Sequence, residues 1–289
     1  MRDGFVQVMA DNSRRVVRAA AWRASLPAQG SARGKALRGG LSAWFASLLL
    51  CIPLARAQEM ERGDVEIRGV ALAEGESESY PGLRARIAWE LRKRTSIAAA
   101  KEAPRLRFDD RRIFDGPLLY WNGRHAFASL SESERRGLRR FIALGGFLWI
   151  DAPSGAEGFD RSLRRELRRA FPSHPLQTLD RKHTIFHSFY LLEHAQGRDA
   201  SPKTLEAIQV EGRAAIVYSR NDVGAALARD AAGQPLLPMV EGGERGRELA
   251  ARLAVNLVMY ALCLDYKDDQ VHLPFILKRL RGASRKYGP

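Results

Sequence analysis

Gly145-Gly146-Phe147-Leu148-Trp149-Ile150-Asp151 compresses a helix stop, a buried strand and a polar strand end into seven residues. Ahead of it, Ser131 and Glu134 have capping-box spacing, and Leu138, Phe141, Ile142 and Leu144 recur at helical intervals, which predicts a helix over 131–144. The glycine pair ends that helix, because glycine reaches positive φ without a Cβ clash. Four apolar residues without alternation then follow, too few for a second helix and suited to a strand covered on both faces. A helix feeding such a strand is the pattern of a parallel α/β sheet, where ligands bind outside the carboxyl ends of the strands. Asp151 and the loop Ala152-Pro153-Ser154-Gly155 are therefore the first place to look for a site.

The same grammar extends to both sides. Val65–Leu72 reads as a first strand, and Pro81 opens a helix whose apolar side carries Leu83, Ile87, Trp89 and Leu91. Pro117–Trp121 is the next strand, closed by the turn signal Asn122-Gly123, so strand, helix 131–144 and strand 147–151 form a βαβ unit. Phe159–Phe171 predicts an arginine-rich amphipathic helix, and 194–204 an exposed loop. Leu205–Val210 and Ala214–Tyr218 read as strands around a Glu211-Gly212-Arg213 turn. Residues 223–246, rich in glycine and alanine, promise little core, whereas Glu248–Leu264 predicts a helix buried over most of its girth, with Asn256 as a buried amide tying a loop to it. A short basic helix and a frayed end are expected after Pro274.

The net charge of +14 over 289 residues suggests nucleic acid until it is placed along the chain. Residues 1–57 hold +7 of it, and in the remainder Arg and Glu interleave, as in Arg164-Arg-Glu-Leu-Arg-Arg169, the pattern of solvated helix faces. With no recognisable binding module, no nucleic-acid partner is expected; an anion or nucleic-acid surface on the Arg164–Arg169 helix is the weakest of three functional readings. Leu41–Leu54 is an apolar run after a basic stretch, ending in Ala55-Arg56-Ala57. That layout predicts residues 1–57 as a signal peptide with a long basic n-region, cleaved near Ala57, and 58–289 as one exported α/β domain, periplasmic or secreted. The apolar run is shorter than a bilayer span requires, so no membrane span is expected after cleavage. Cys263 is then the sole cysteine, which excludes an intrachain disulfide and a cysteine metal cluster.

The order of landmarks carries a resemblance. Pro117-Leu-Leu-Tyr, Leu130-Ser-x-x-Glu134, Leu138-Arg-x-Phe-Ile-x-x-Gly-Gly-Phe-Leu-x-x-Asp151, His183-x-x-Phe186-x-x-Phe-Tyr190, Gly212-Arg213, Tyr218-Ser-x-Asn-Asp222 and Asn256-Leu-Val-x-Tyr260 together resemble the domain-of-unknown-function family 4159, over about residues 62–264. The resemblance implies a flavodoxin-like three-layer α/β sandwich with a mostly parallel sheet, related to class I glutamine amidotransferase-like domains, in bacterial envelope proteins, with no established reaction. Glutaminase chemistry needs a cysteine on a strand-to-helix elbow with a histidine beside it, and Cys263 lies near the end of the apolar helix instead.

Chemistry-bearing residues cluster at predicted strand ends. Asp151, His183, Arg213, Asn221 and Asp222 are the candidate ligand-binding set; no catalytic residue is assigned, no cofactor is implied and no metal site is expected. His183 and His187 have i, i+4 spacing but lack the adjacent glutamate of a zinc-protease helix. Ser154-Gly155 lacks the Gly-x-Ser-x-Gly frame of a nucleophile elbow. The leading expectation is a non-catalytic envelope module binding a partner protein or a small polar ligand at the strand edge. The alternative is a hydrolase of cell-wall or carbohydrate substrates with Asp151 as base and His183 as acid or orienting group.

Overall fold

Seven strands form one sheet in the order β2-β1-β3-β4-β7-β6-β5. These are β1 (Arg68–Val70), β2 (Arg105–Leu106), β3 (Leu118–Asn122), β4 (Phe147–Asp151), β5 (Gln177–Thr178), β6 (Leu205–Val210) and β7 (Arg213–Ser219). The computed structural model describes residues 64–72, 79–199 and 201–284, with side-chain surroundings through residue 263; the predicted leader lies outside the described residues. Strands β2, β1, β3, β4 and β7 run parallel, and only β6 turns against them, carrying β5 at its outer edge. The molecule is thus a flavodoxin-like three-layer sandwich, its parallel strands ordered as in the 2-1-3-4-5 doubly wound sheet with an antiparallel pair appended.

Among the described residues five α-helices cover the two faces: α1 (Leu83–Arg94), α2 (Glu132–Ala143), α3 (Glu157–Ala170), α4 (Val223–Leu227) and α5 (Gly243–Ser284). Strand side chains alternate between faces. Leu119, Trp121, Leu148, Ile150, Ile216 and Tyr218 join Leu138, Phe141 and Ile142 of α2 and Phe159, Leu163 and Leu167 of α3 in one core cluster. The other face packs under α1, α4 and α5, where Tyr120 and Trp149 meet at a tilt with ring centroids 4.6 Å apart and Tyr260 of α5 lies edge-on to Phe147. Helix α2 starts at the capping box formed by Ser131 and Glu134 and stops before Gly145, as the sequence predicts.

Two expectations need correction. Residues 223–246 were expected to hold little core, yet Val223 to Ala228 are all buried in and just after α4. The glycine and alanines are small because α4 is squeezed between its neighbours. A Cβ on Gly224 would come within 2.7 Å of Leu83 and 3.0 Å of the Asn122 amide. Likewise α5 begins at Gly243 and runs on through Pro274, rather than ending near Leu264 and restarting. Among the described residues no helix is long and apolar enough to cross a membrane.

Asn256 is the buried tie expected of it. Its Oδ1 accepts the Tyr190 amide at 2.7 Å, and its Nδ2 donates to the Ile185 and Tyr190 carbonyls at 2.9 Å each. Alanine at 256 would strand all three backbone groups, one of them fully buried, and is expected to destabilise the domain by about 2 to 3 kcal/mol. Urea unfolding of Asn256→Ala measures this, and a loss of under about 0.5 kcal/mol would show that the loop is held by other contacts.

Candidate functional site

The registers of the central strands bring three polar residues side by side at their carboxyl ends. Asn122 of β3 is paired with Asp151 of β4, and Asp151 with Ser219 of β7. All three are buried, and Asp151 and Ser219 have no exposed surface. On this face α4 starts directly above Asp151, whose Oδ1 accepts the Val223 amide at 3.1 Å and whose Oδ2 accepts the Gly224 amide at 2.7 Å. Tyr120 Oη and Asn122 Nδ2 donate to the same Oδ2 at 3.4 and 3.3 Å. Burial, and secondarily the charge of Asp222, push the Asp151 carboxyl up to about 7, against the Gly224 and Val223 amides, which favour the ionised form.

Asp222 sits one residue before α4 in the left-handed conformation, with φ 52° and ψ 51°, a region that aspartate tolerates better than most residues. Its carboxylate accepts the Tyr80 hydroxyl, 3.2 Å from Oδ1 and 3.1 Å from Oδ2. Arg124, in the loop after β3, donates to the Tyr80 oxygen in turn. Burial and then Asp199 push Asp222 up to about 6, opposed by the Arg124 charge and the Tyr80 bond. Asn221 is buried beside it; its Nδ2 donates to the Pro202 carbonyl and its Oδ1 receives the Ser219 hydroxyl. Gly197 passes so close that a Cβ there would stand 2.0 Å from the Asn221 carbonyl oxygen. Asp199 completes this rim by accepting the Ser154 amide at 2.7 Å.

The structure therefore gathers Asp151, Asn221 and Asp222, but His183 and Arg213 do not join them. Arg213 begins β7 rather than ending it, and its guanidinium donates to the Ile142 and Gly146 carbonyls, closing the end of α2 at the amino side of β4. His183 lies against Tyr260 with ring centroids 5.5 Å apart, and Tyr260 packs on Phe147 and receives the Ala214 amide. Both residues thus belong to the amino-terminal rim, the length of β4 away from Asp151, roughly 13 Å for four residue steps. Asp151 and His183 cannot act on one substrate as base and acid. His183 also precedes a single 3-10 turn, Thr184–His187, accepting the Ile185 amide on Nδ1, so it and His187 do not share an α-helical face.

Two residues that the sequence reading passed over complete the rim. Tyr80 and Arg124 lie in the loops before α1 and after β3, where no periodicity marks them. The rule that singled out Asp151, a polar residue just beyond a strand's carboxyl end, applies equally to Arg124 after Asn122-Gly123. On α3, Arg164 is paired with Asp160 and Glu206, while Arg165 and Arg169 share the buried Glu166, which leaves little of that helix's charge for a nucleic acid.

Chemically, the rim offers a fully engaged carboxylate at its floor, a second carboxylate beneath a tyrosine, and a half-buried guanidinium at its lip. It can hold a polar group in a fixed orientation. Residues 70–262 match the family model described as a domain of unknown function, DUF4159. No curated protein matches the chain.

Proposed function

We propose, for a chain that belongs to the DUF4159 family, that its role is binding rather than catalysis: an exported, non-catalytic module that holds a small polar ligand at the carboxyl-terminal rim of its sheet. The observation that carries this reading is the state of Asp151. A carboxylate with no exposed surface and four donors on its two oxygens supports the architecture and is out of reach of a substrate. Above it Arg124 is half-buried, is steadied by Tyr80 and presents a guanidinium that suits a carboxylate or sugar hydroxyls. Tyr80 follows β1 and Arg124 follows β3, the two strands between which the strand order reverses, and that crevice is where doubly wound sheets hold ligands. The envelope location rests on the apolar run Leu41–Leu54 and the site Ala55-Arg56-Ala57 that follows it.

A partner protein is the second reading, favoured by Leu236 and Val240, which are 46% and 61% exposed. They sit on a loop that Arg198 fastens beside the rim through the Pro238 carbonyl. Thermal shifts against short carboxylates, amino sugars and peptidoglycan fragments test the first reading. At least one is expected to raise Tm, and Arg124→Ala to abolish that rise while costing no more than about 1 kcal/mol without ligand. A rise that survives in Arg124→Ala would remove the rim from the reading. Capture of an envelope protein that depends on Leu236 and Val240, with no small-molecule shift, would replace the first reading with the second.

A further inference from the structure

Away from the rim, the far end of α4 meets a group of arginines. Arg247, on α5, is almost wholly buried; its guanidinium donates to the Ala226 carbonyl and, at 3.0 Å, to the Leu237 carbonyl, fixing both the end of α4 and the loop beyond it. Arg229 follows in that loop, pinned by a backbone bridge to Pro235. Arg86 comes from α1, one turn after the Leu83 that packs on Gly224, and lies over the Trp89 ring at 3.9 Å. The charges of Arg86 and Arg247 both oppose that of Arg229, which burial already disfavours.

The anions nearby do not balance this group. Glu90 is shared between Arg86 and Arg94, and Glu244 is 78% exposed and bonded to Arg247. As a result, Arg86 Nε and Arg229 Nε are both buried N–H donors without an acceptor. Among the described residues Arg229 has no hydrogen bond or ion pair through its side chain. Orphaned buried donors are rare in folded proteins and call for an acceptor. Two guanidinium groups arriving from different elements suit an anion with three or more acceptor oxygens, whereas one fork alone satisfies a carboxylate.

We infer that Arg86 and Arg229 form a binding site for a compact tetrahedral oxyanion of the phosphate or sulfate type, with Arg247 as the positioning residue that holds the loop in place. This site shares no residue with the rim and stands or falls separately from it. The test is thermal unfolding of the full domain in inorganic phosphate or sulfate, against chloride and acetate at matched ionic strength. Phosphate or sulfate is expected to raise Tm by roughly 3 to 5 °C for each tenfold rise above Kd. Arg229→Gln should lose that response while unfolding in chloride at the wild-type temperature or above, since it removes a half-buried charge among like charges. Arg229→Lys, which keeps the charge but not the fork, should weaken the response about tenfold. A sugar phosphate that binds more tightly than inorganic phosphate would identify the anion as an ester group on a larger ligand, and equal binding as the free ion. No response beyond chloride, an equal response to acetate, or an undiminished response in Arg229→Gln would overturn the site.

Discussion

Replacing Asp151 by alanine is expected to destabilise the domain by about 3 to 5 kcal/mol, a fall in Tm on the order of 10 °C. The carboxylate is the common acceptor for two α4 amides, the Tyr120 hydroxyl and the Asn122 amide, and none of these donors can turn to water once it is gone. Losing the cost of burying the carboxylate itself offsets part of this, which is why the figure falls short of four stranded donors. Asp151→Asn keeps one acceptor oxygen but points an N–H at the amide of Val223 or Gly224, so about half the loss is expected. Equilibrium urea unfolding at pH 7 separates the three proteins. Alanine within about 1 kcal/mol of wild type would mean that α4 is seated without Asp151, and the view of that residue as the floor of the rim would be lost.

Stability should also fall as pH rises from about 4 to about 7. Asp151 is held up to about 7 and Asp222 to about 6, both first by burial, whereas in the unfolded chain each titrates near 3.8. Within that window the folded state binds more protons than the unfolded one. The stabilisation is fully present below about pH 4 and is lost as pH climbs through 6 and 7, on the order of 4 kcal/mol from Asp151 alone. Glu248 works in the opposite direction: its bonds to Arg94 hold it down at about 2, so its contribution is present above pH 4.5 and lost as pH falls through 2. Tm measured from pH 4.5 to 8 at fixed ionic strength should decline, with a flatter profile in Asp222→Asn. A profile rising across that range would contradict the account.

Much of the architecture could be read from local chemistry. The capping box at Ser131, the glycine stop at 145 and the unalternated run 147–150 each have one physical meaning, and together they fix a helix, a turn and a doubly covered strand. The register then follows from burial, which sets Asp151 between Asn122 and Ser219. What remained hidden was orientation across the sheet. Arg213 flanks a strand as closely as Asp151 does, but at its start, and no local pattern reveals that its guanidinium turns back to cap α2. Helix α4 was hidden for a different reason: Gly224 and Ala225 look like loop because the sequence records their size and not the closeness of the walls that demands it. Tyr80 and Arg124 were missed because loop residues acquire roles from what lies opposite them, here Asp222, far along the chain.

Helix α4 is also a mechanical element, held from both ends. Asp151 grips its leading amides, Arg247 grips the carbonyl of Ala226 at its trailing end, and every residue between is enclosed. So short a rod, clamped at both extremities, has no slack of its own and can be displaced only together with whatever holds its two ends. The positions of Asp151 and Arg247 are thereby tied to one another through a single short spacer.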